Sequence, residues 1–111
     1  MRKKQNKKYV IIFVTAPSEK VALRIGKILI SKKIAACINI IPKIRSLYRW
    51  KNKVCDAKEV LIIIKSAQAQ LKKIAVTIQK IHPYEVPEII SIPILKSSNA
   101  YMKWLSENIK P

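Results

Sequence analysis

The sequence predicts an α+β fold: a ferredoxin-like βαββαβ sandwich with an extended hairpin between its second and third strands and a C-terminal helix. Three observations predict it. Apolar residues switch between the two-residue period of a strand and the 3.6-residue period of a helix, in the order β-α-β-β-α-β followed by one more helix. Prolines within the sheet segments fall only on the strands that this fold places at its edges. The second strand is longer than so small a sheet can pair.

Tyr9 to Thr15 is the first strand, a run of β-branched and aromatic residues closed by Pro17. Ser18 caps the helix that follows, and Glu19 favours its first turn. Val21, Ile25, Ile28 and Leu29 keep helical spacing, with Leu23 and Ile30 widening the arc, while Lys20, Arg24 and Lys27 take the other side. Ala35 to Arg49 is the second strand; Ile44, Ser46, Tyr48 and Trp50 share one face, Arg45, Leu47 and Arg49 the other. "WKNK" is a tight turn in which Asn52 tolerates a left-handed conformation, so Trp50 pairs with Lys53 and Tyr48 with Cys55. Val54 to Lys65 returns as a central strand, since "VLIII" is apolar on both faces. Ser66 is expected to cap a second helix with Leu71, Ile74, Ala75, Ile78 and Ile81 on its buried stripe, stopped by Pro83. Pro87 to Leu95 is the last strand. Tyr101 to Ile109 is the last helix, with Tyr101, Trp104 and Leu105 expected on its buried side.

The strand order 4-1-3-2 puts strands two and four at the edges. Pro42 lies on strand two, Pro87 and Pro93 on strand four, and strands one and three carry none. A strand from Ala35 to Arg49 spans roughly 50 Å. Its far part must project past the sheet, and an exposed apolar edge of that kind calls for a partner strand, most simply from another copy of the chain.

The chain has 111 residues, expected as a basic disordered tail over 1–8 and one domain over 9–111. Pro17 and Glu19 follow the first apolar run at once, so that run is a strand rather than a secretory leader, and the expected setting is cytoplasmic with no membrane partner. Gly26 is the only glycine, which excludes glycine-rich phosphate loops. The net charge of +17 raises nucleic acid as a partner, and a basic nucleic-acid-associated module on the same fold is the alternative function. The lysines are scattered over every segment, however. The third strand also lacks the aromatics with which a base-stacking sheet reads RNA, so nucleic acid is not the favoured partner. No nucleophile or acid pair stands in a catalytic signature, so no enzyme is expected.

The candidate site residues are the chemically distinct ones in a chain of isoleucine, alanine and lysine. His82 either ligates a metal or ends its helix as a polar residue beside Pro83. Cys37 either supplies a thiolate or is a small buried hydrophobe. Cys55 lies about 36 Å from it on the paired hairpin, too far for a bridge. Glu59 and Lys65 share a face of the third strand. Their charges need partners if buried, as in an ion-pair network between subunits, or else lie where the hairpin emerges into solvent.

Four strings then carry a resemblance over Tyr9 to about Trp104: "FVTAPSEKVA", "IAACINIIPKIRSLYRW", "KEVLIIIK" and "IHPYEVPEI". In this order they resemble CutA, the divalent-cation-tolerance family. The resemblance implies homotrimers of ferredoxin-like subunits whose hairpins pair, similar to PII-type signalling proteins, with a role in the response to metal ions and copper binding in some members. Carried over residue by residue, it points to Cys37, Trp50, Glu59, Lys65, His82, Tyr84, Glu85, Pro87 and Glu88 in clefts between subunits. Val14 and Ile81 stand where some copper-binding members have a cysteine and a second histidine. The cofactor expectation is therefore none beyond a weakly held divalent metal such as copper. The basic balance favours a small anionic ligand in the cleft, with Lys65 as a contact.

Overall fold

The computed structural model describes residues 8–111. The tail expected over 1–8 lies, except for Lys8, outside the described residues. The elements are β1 (Tyr9–Ala16), α1 (Glu19–Ser31), β2 (Cys37–Trp50), β3 (Lys53–Ala67), α2 (Leu71–Ile81), β4 (Ile90–Pro93) and α3 (Asn99–Glu107). The strands form one antiparallel sheet in the order β2-β3-β1-β4, as the proline positions require.

Strand alternation builds the core. Val10, Ile12, Val14 and Ala16 of β1 and Val60, Ile62 and Ile64 of β3 point to the helices, where they meet Ile25 and Leu29 of α1 and Ile74 and Ile78 of α2. Each of the large side chains contributes about 1.5–3 kcal/mol by leaving water. The other face carries Ile11, Phe13, Leu61 and Ile63, half-buried, and Ile90 and Ile92, exposed; neither α1 nor α2 covers it.

Ser18 caps α1 as expected, its hydroxyl accepting the Val21 N–H at 3.2 Å. The lone glycine has a packing reason. A Cβ on Gly26 would stand 3.0 Å from Cγ2 of Ile38, so α1 lies close against β2. β2 breaks register between Ile41 and Ile44, around Pro42, which lacks the N–H the ladder would need. Lys51 and Asn52 both have positive φ, 50° and 65°, which closes the hairpin as a two-residue turn and gives the predicted pairs Trp50↔Lys53 and Tyr48↔Cys55. β1 pairs with β3 only from Val60 onwards. Lys53–Glu59 and their partners on β2 therefore project as a two-stranded ribbon, and the described chain measures 58 × 25 × 25 Å.

Three expectations are corrected. Ser66 does not cap a helix. It sits in β3 opposite Val10, fully buried, and its hydroxyl donates to the Ile34 carbonyl; α2 starts five residues later, after a 3-10 turn at Gln68–Gln70. A tertiary acceptor outcompeted the local cap. The last strand is Ile90–Pro93 rather than Pro87–Leu95, so Pro87 lies outside the sheet. Pro93 keeps its edge role: Ile94 donates to Tyr9, so the ring nitrogen of Pro93 faces the free side. The last helix begins at Asn99, capped by Ser98, and only Leu105 is buried on it. Tyr101 and Trp104 are 37% and 43% exposed and stack on each other at 5.5 Å, because the helix touches the sheet's end rather than lying across it.

Ser66→Ala should lower the free energy of unfolding by about 1–2 kcal/mol, because it leaves the Ile34 carbonyl without its buried donor. Urea denaturation at one protein concentration measures this; an unchanged midpoint would refute the role given to the hydroxyl.

Candidate functional site

The segment "HPYEVPE" leaves α2 and crosses the end of the sheet. His82 is the helix C-cap, in extended conformation, with its N–H still on the Ile78 carbonyl at 2.8 Å. Pro83 disfavours a helical His82 and turns the chain outward. His82 is buried, 7% exposed. Nδ1 accepts the Tyr84 N–H at 3.1 Å, which assigns the ring proton to Nε2, and Nε2 donates to the Thr15 carbonyl at 2.8 Å. Both ring nitrogens are thus committed to backbone. The same bond shortens β4, since odd-numbered carbonyls of β1 point to that side and the one on Thr15 is taken.

Tyr84 continues the chain of contacts. Its ring lies 4.7 Å from that of His82, and its O–H donates to Glu59 Oε2 at 2.6 Å. Burial, and then the Glu59 carboxylate beside it, push the Tyr84 phenol well above its ordinary value of 10.0. Glu59 is itself 6% exposed and faces Ile44 across the ladder, at the edge of the register break. Its partner is a tyrosine rather than a cation. The ion pair among the described residues is Arg45–Asp56, bidentate at 2.9 and 2.6 Å on the other face of the ribbon, and solvent on both sides makes it a weak contributor.

Between the ribbon and this segment lies a cleft of about 620 Å³, lined among others by Tyr48, Trp50, Glu59, Tyr84, Glu85 and Glu88. Five of these are candidates named from the sequence. Two further candidates lie elsewhere. Cys37 and Lys65 face each other across β2 and β3, and the Lys65 ammonium stands 5.6 Å from the Tyr101 ring centroid. Pro87 is half-buried beside the cleft-lining Val86 and Glu88. Cys37 and Cys55 are both free thiols. Among the described residues, no three His, Cys, Asp or Glu side chains are placed to hold a metal ion.

The basic balance led to the expectation of an anionic ligand with Lys65 as a contact. Within one chain Lys65 does not line the cleft, and the charged side chains that do are three glutamates. A net charge counts the whole surface, whereas a ligand meets only the groups around it. Two contributors were missed. Tyr48 was legible, since it shares the ribbon face of Trp50 two residues away. Thr15 was not, because its carbonyl makes the contact and any residue supplies one.

Residues 10–108 match the family model described as CutA1 divalent ion tolerance protein. The divalent-cation tolerance protein CutA of Thermus thermophilus is 39% identical over 98 residues, covering 88% of this chain and 95% of that one. Protein CutA of Homo sapiens is 39% identical over 95 residues, covering 86% of this chain; the match spans 53%, about half, of the human protein. The crystal structure of CutA1 from Oryza sativa superposes with a TM-score of 0.90 at 35% identity, covering 93% of this chain and 94% of that one. With the strand order, the overhanging ribbon and the "HPYEVPE" crossing in agreement with its sequence, the chain belongs to the CutA1 divalent ion tolerance protein family.

Proposed function

We propose that the protein is a homotrimeric, non-enzymatic member of the divalent-cation-tolerance type. It takes part in the response to metal ions by PII-like sensing of a small ligand in clefts that lie at the subunit boundary. The observation that carries the reading is the cleft's position. It opens between the projecting ribbon and the sheet end, beside an apolar face of Ile11, Phe13, Leu61 and Ile63 that neither α1 nor α2 covers. Burying that face and pairing the ribbon edges against other copies removes both liabilities at once.

A binding rather than catalytic role fits the chemistry. His82 has both nitrogens engaged, and Tyr84 holds its proton, so neither serves as a base at neutral pH. A cytoplasmic setting belongs to the same reading and rests on the two free thiols.

Gel filtration with light scattering should give a mass of about 38 kDa, three times 12.7 kDa. A monomer at micromolar concentration would sink the proposal.

Copper should bind weakly. Softer divalent ions need several nitrogen or thiolate donors in fixed geometry. His82 would have to give up a backbone partner, Val14 is in the core, and Ile81 cannot ligate. Calorimetry with Cu²⁺ and Zn²⁺ on tag-free protein should find no stoichiometric site tighter than micromolar. Such a site, abolished by His82→Ala, would overturn this.

The raised Tyr84 phenol sets a pH dependence. The folded state holds this proton more tightly than the unfolded chain, so the contribution is complete below the ordinary value of 10.0 and is lost as the pH climbs towards the raised one. Tyr84→Phe should cost about 1–3 kcal/mol at neutral pH, because the Glu59 carboxylate loses its donor. The gap to wild type should narrow in strong alkali. Urea unfolding at neutral and alkaline pH tests both; a gap independent of pH would contradict the assignment.

A further inference from the structure

The charge of the cleft is opposite in sign to that of the chain. Of six acidic residues in a chain of net charge +17, Glu59, Glu85 and Glu88 line it, and no lysine or arginine does. Glu59 adds an observation independent of that count. It is more than nine-tenths buried and lines the cleft. Its hydrogen bond from Tyr84 falls on Oε2, and Oε1 has no donor among the described residues. No cation pairs with it there either. Oε1 is not shut off from solvent, so within the cleft it is the open acceptor of an otherwise buried carboxylate. Aromatic rings share the lining: Tyr48 and Trp50 from the same face of the ribbon and Tyr84 from the crossing segment.

We propose that the cleft binds a small organic cation, a primary ammonium or guanidinium on a short apolar stem, with Glu59 as its buried counter-ion. Tyr48 and Tyr84 supply π-faces for the cationic head, Trp50 lines the cleft farther out along the ribbon, and Glu85 and Glu88, both exposed, draw the cation to the mouth. This rests on the ligand-cleft reading above and names the ligand class. A hard divalent ion fits less well. It needs six or more converging oxygens, and no three such side chains converge among the described residues. An organic cation needs only one or two carboxylates and an aromatic wall. The volume, about 620 Å³, falls in the range of small-molecule sites. The overall positive charge does not oppose entry, since salt screens it within about 8 Å at physiological ionic strength.

The chain has two tryptophans, so in a Trp104→Phe background Trp50 alone reports on the cleft. That protein is titrated with n-butylammonium, ethylguanidinium and, as the anionic control, butyrate. Emission should change saturably with the two cations and not with butyrate. Glu59→Gln should weaken the cations about tenfold or more, as for loss of a charged hydrogen bond. The Glu85→Gln/Glu88→Gln pair, at exposed positions, should weaken them about two- to fivefold and keeps the test open if Glu59→Gln does not fold. Saturation by butyrate alone overturns the cation class and leaves the ligand cleft standing. Cation affinities unchanged in every glutamate variant that folds overturn the proposed counter-ions. Silence towards all three probes in a protein of trimer mass overturns the proposal and leaves the assembly intact: a neighbouring copy's lysine or arginine then supplies the charge.

Discussion

The imidazole of His82 accepts one backbone N–H, from Tyr84, and donates to one backbone carbonyl, on Thr15. Those two bonds tie the end of α2 to the end of β1 and determine what the following residues can do. β4 cannot extend to the last carbonyl of β1 on its side, because the ring occupies it. The chain between Pro83 and Ile89 therefore stands off the sheet, and the space it leaves is the cleft. With the ring fixed, the Tyr84 backbone is fixed, and the Tyr84 hydroxyl reaches Glu59 on β3. Thr15, His82, Tyr84 and Glu59 form a continuous path across three elements, and it contains no surplus polar atom on the histidine. The residue most suggestive of metal chemistry in the sequence has, in the fold, both ring nitrogens on backbone partners.

Most of the architecture was legible because binary pattern and punctuation agreed. The proline positions identified both edges, and the turn at Lys51 and Asn52 gave the hairpin register residue by residue. The misreadings share a cause. Ser66 has the look of a helix cap, but a buried hydroxyl takes the best acceptor in space, and that was the Ile34 carbonyl 32 residues away. Pro87 has the look of an edge-strand residue, but strand length is set by what the neighbouring strand has free. Tyr101 and Trp104 follow the helical stripe, yet a stripe is buried only where a surface exists to receive it, and α3 reaches the sheet through Leu105.

The site was half legible. Trp50, Glu59, Tyr84, Glu85 and Glu88 were singled out by type, and the fold gathers all five around one space. Cys37 and Lys65 were singled out on the same grounds and lie elsewhere. Parity alone placed Lys65 on the face of Glu59, but six residues along a strand is about 20 Å, and face is not neighbourhood.

Charge shows the same gap between composition and place. A chain with 23 basic residues and 6 acidic ones invites an anionic partner. Yet the described basic residues, Lys65 apart, are exposed, including those on the solvent sides of α1 and α2, where water and salt screen them, and half of the acids meet at one cleft. Screening makes the near field decisive. A carboxylate a few ångströms from a ligand outweighs several ammonium groups beyond a Debye length, and more so when the carboxylate is buried beside aromatic rings that exclude water. The net charge is thus no guide to the cleft, whose charged lining is three glutamates that the composition nearly conceals.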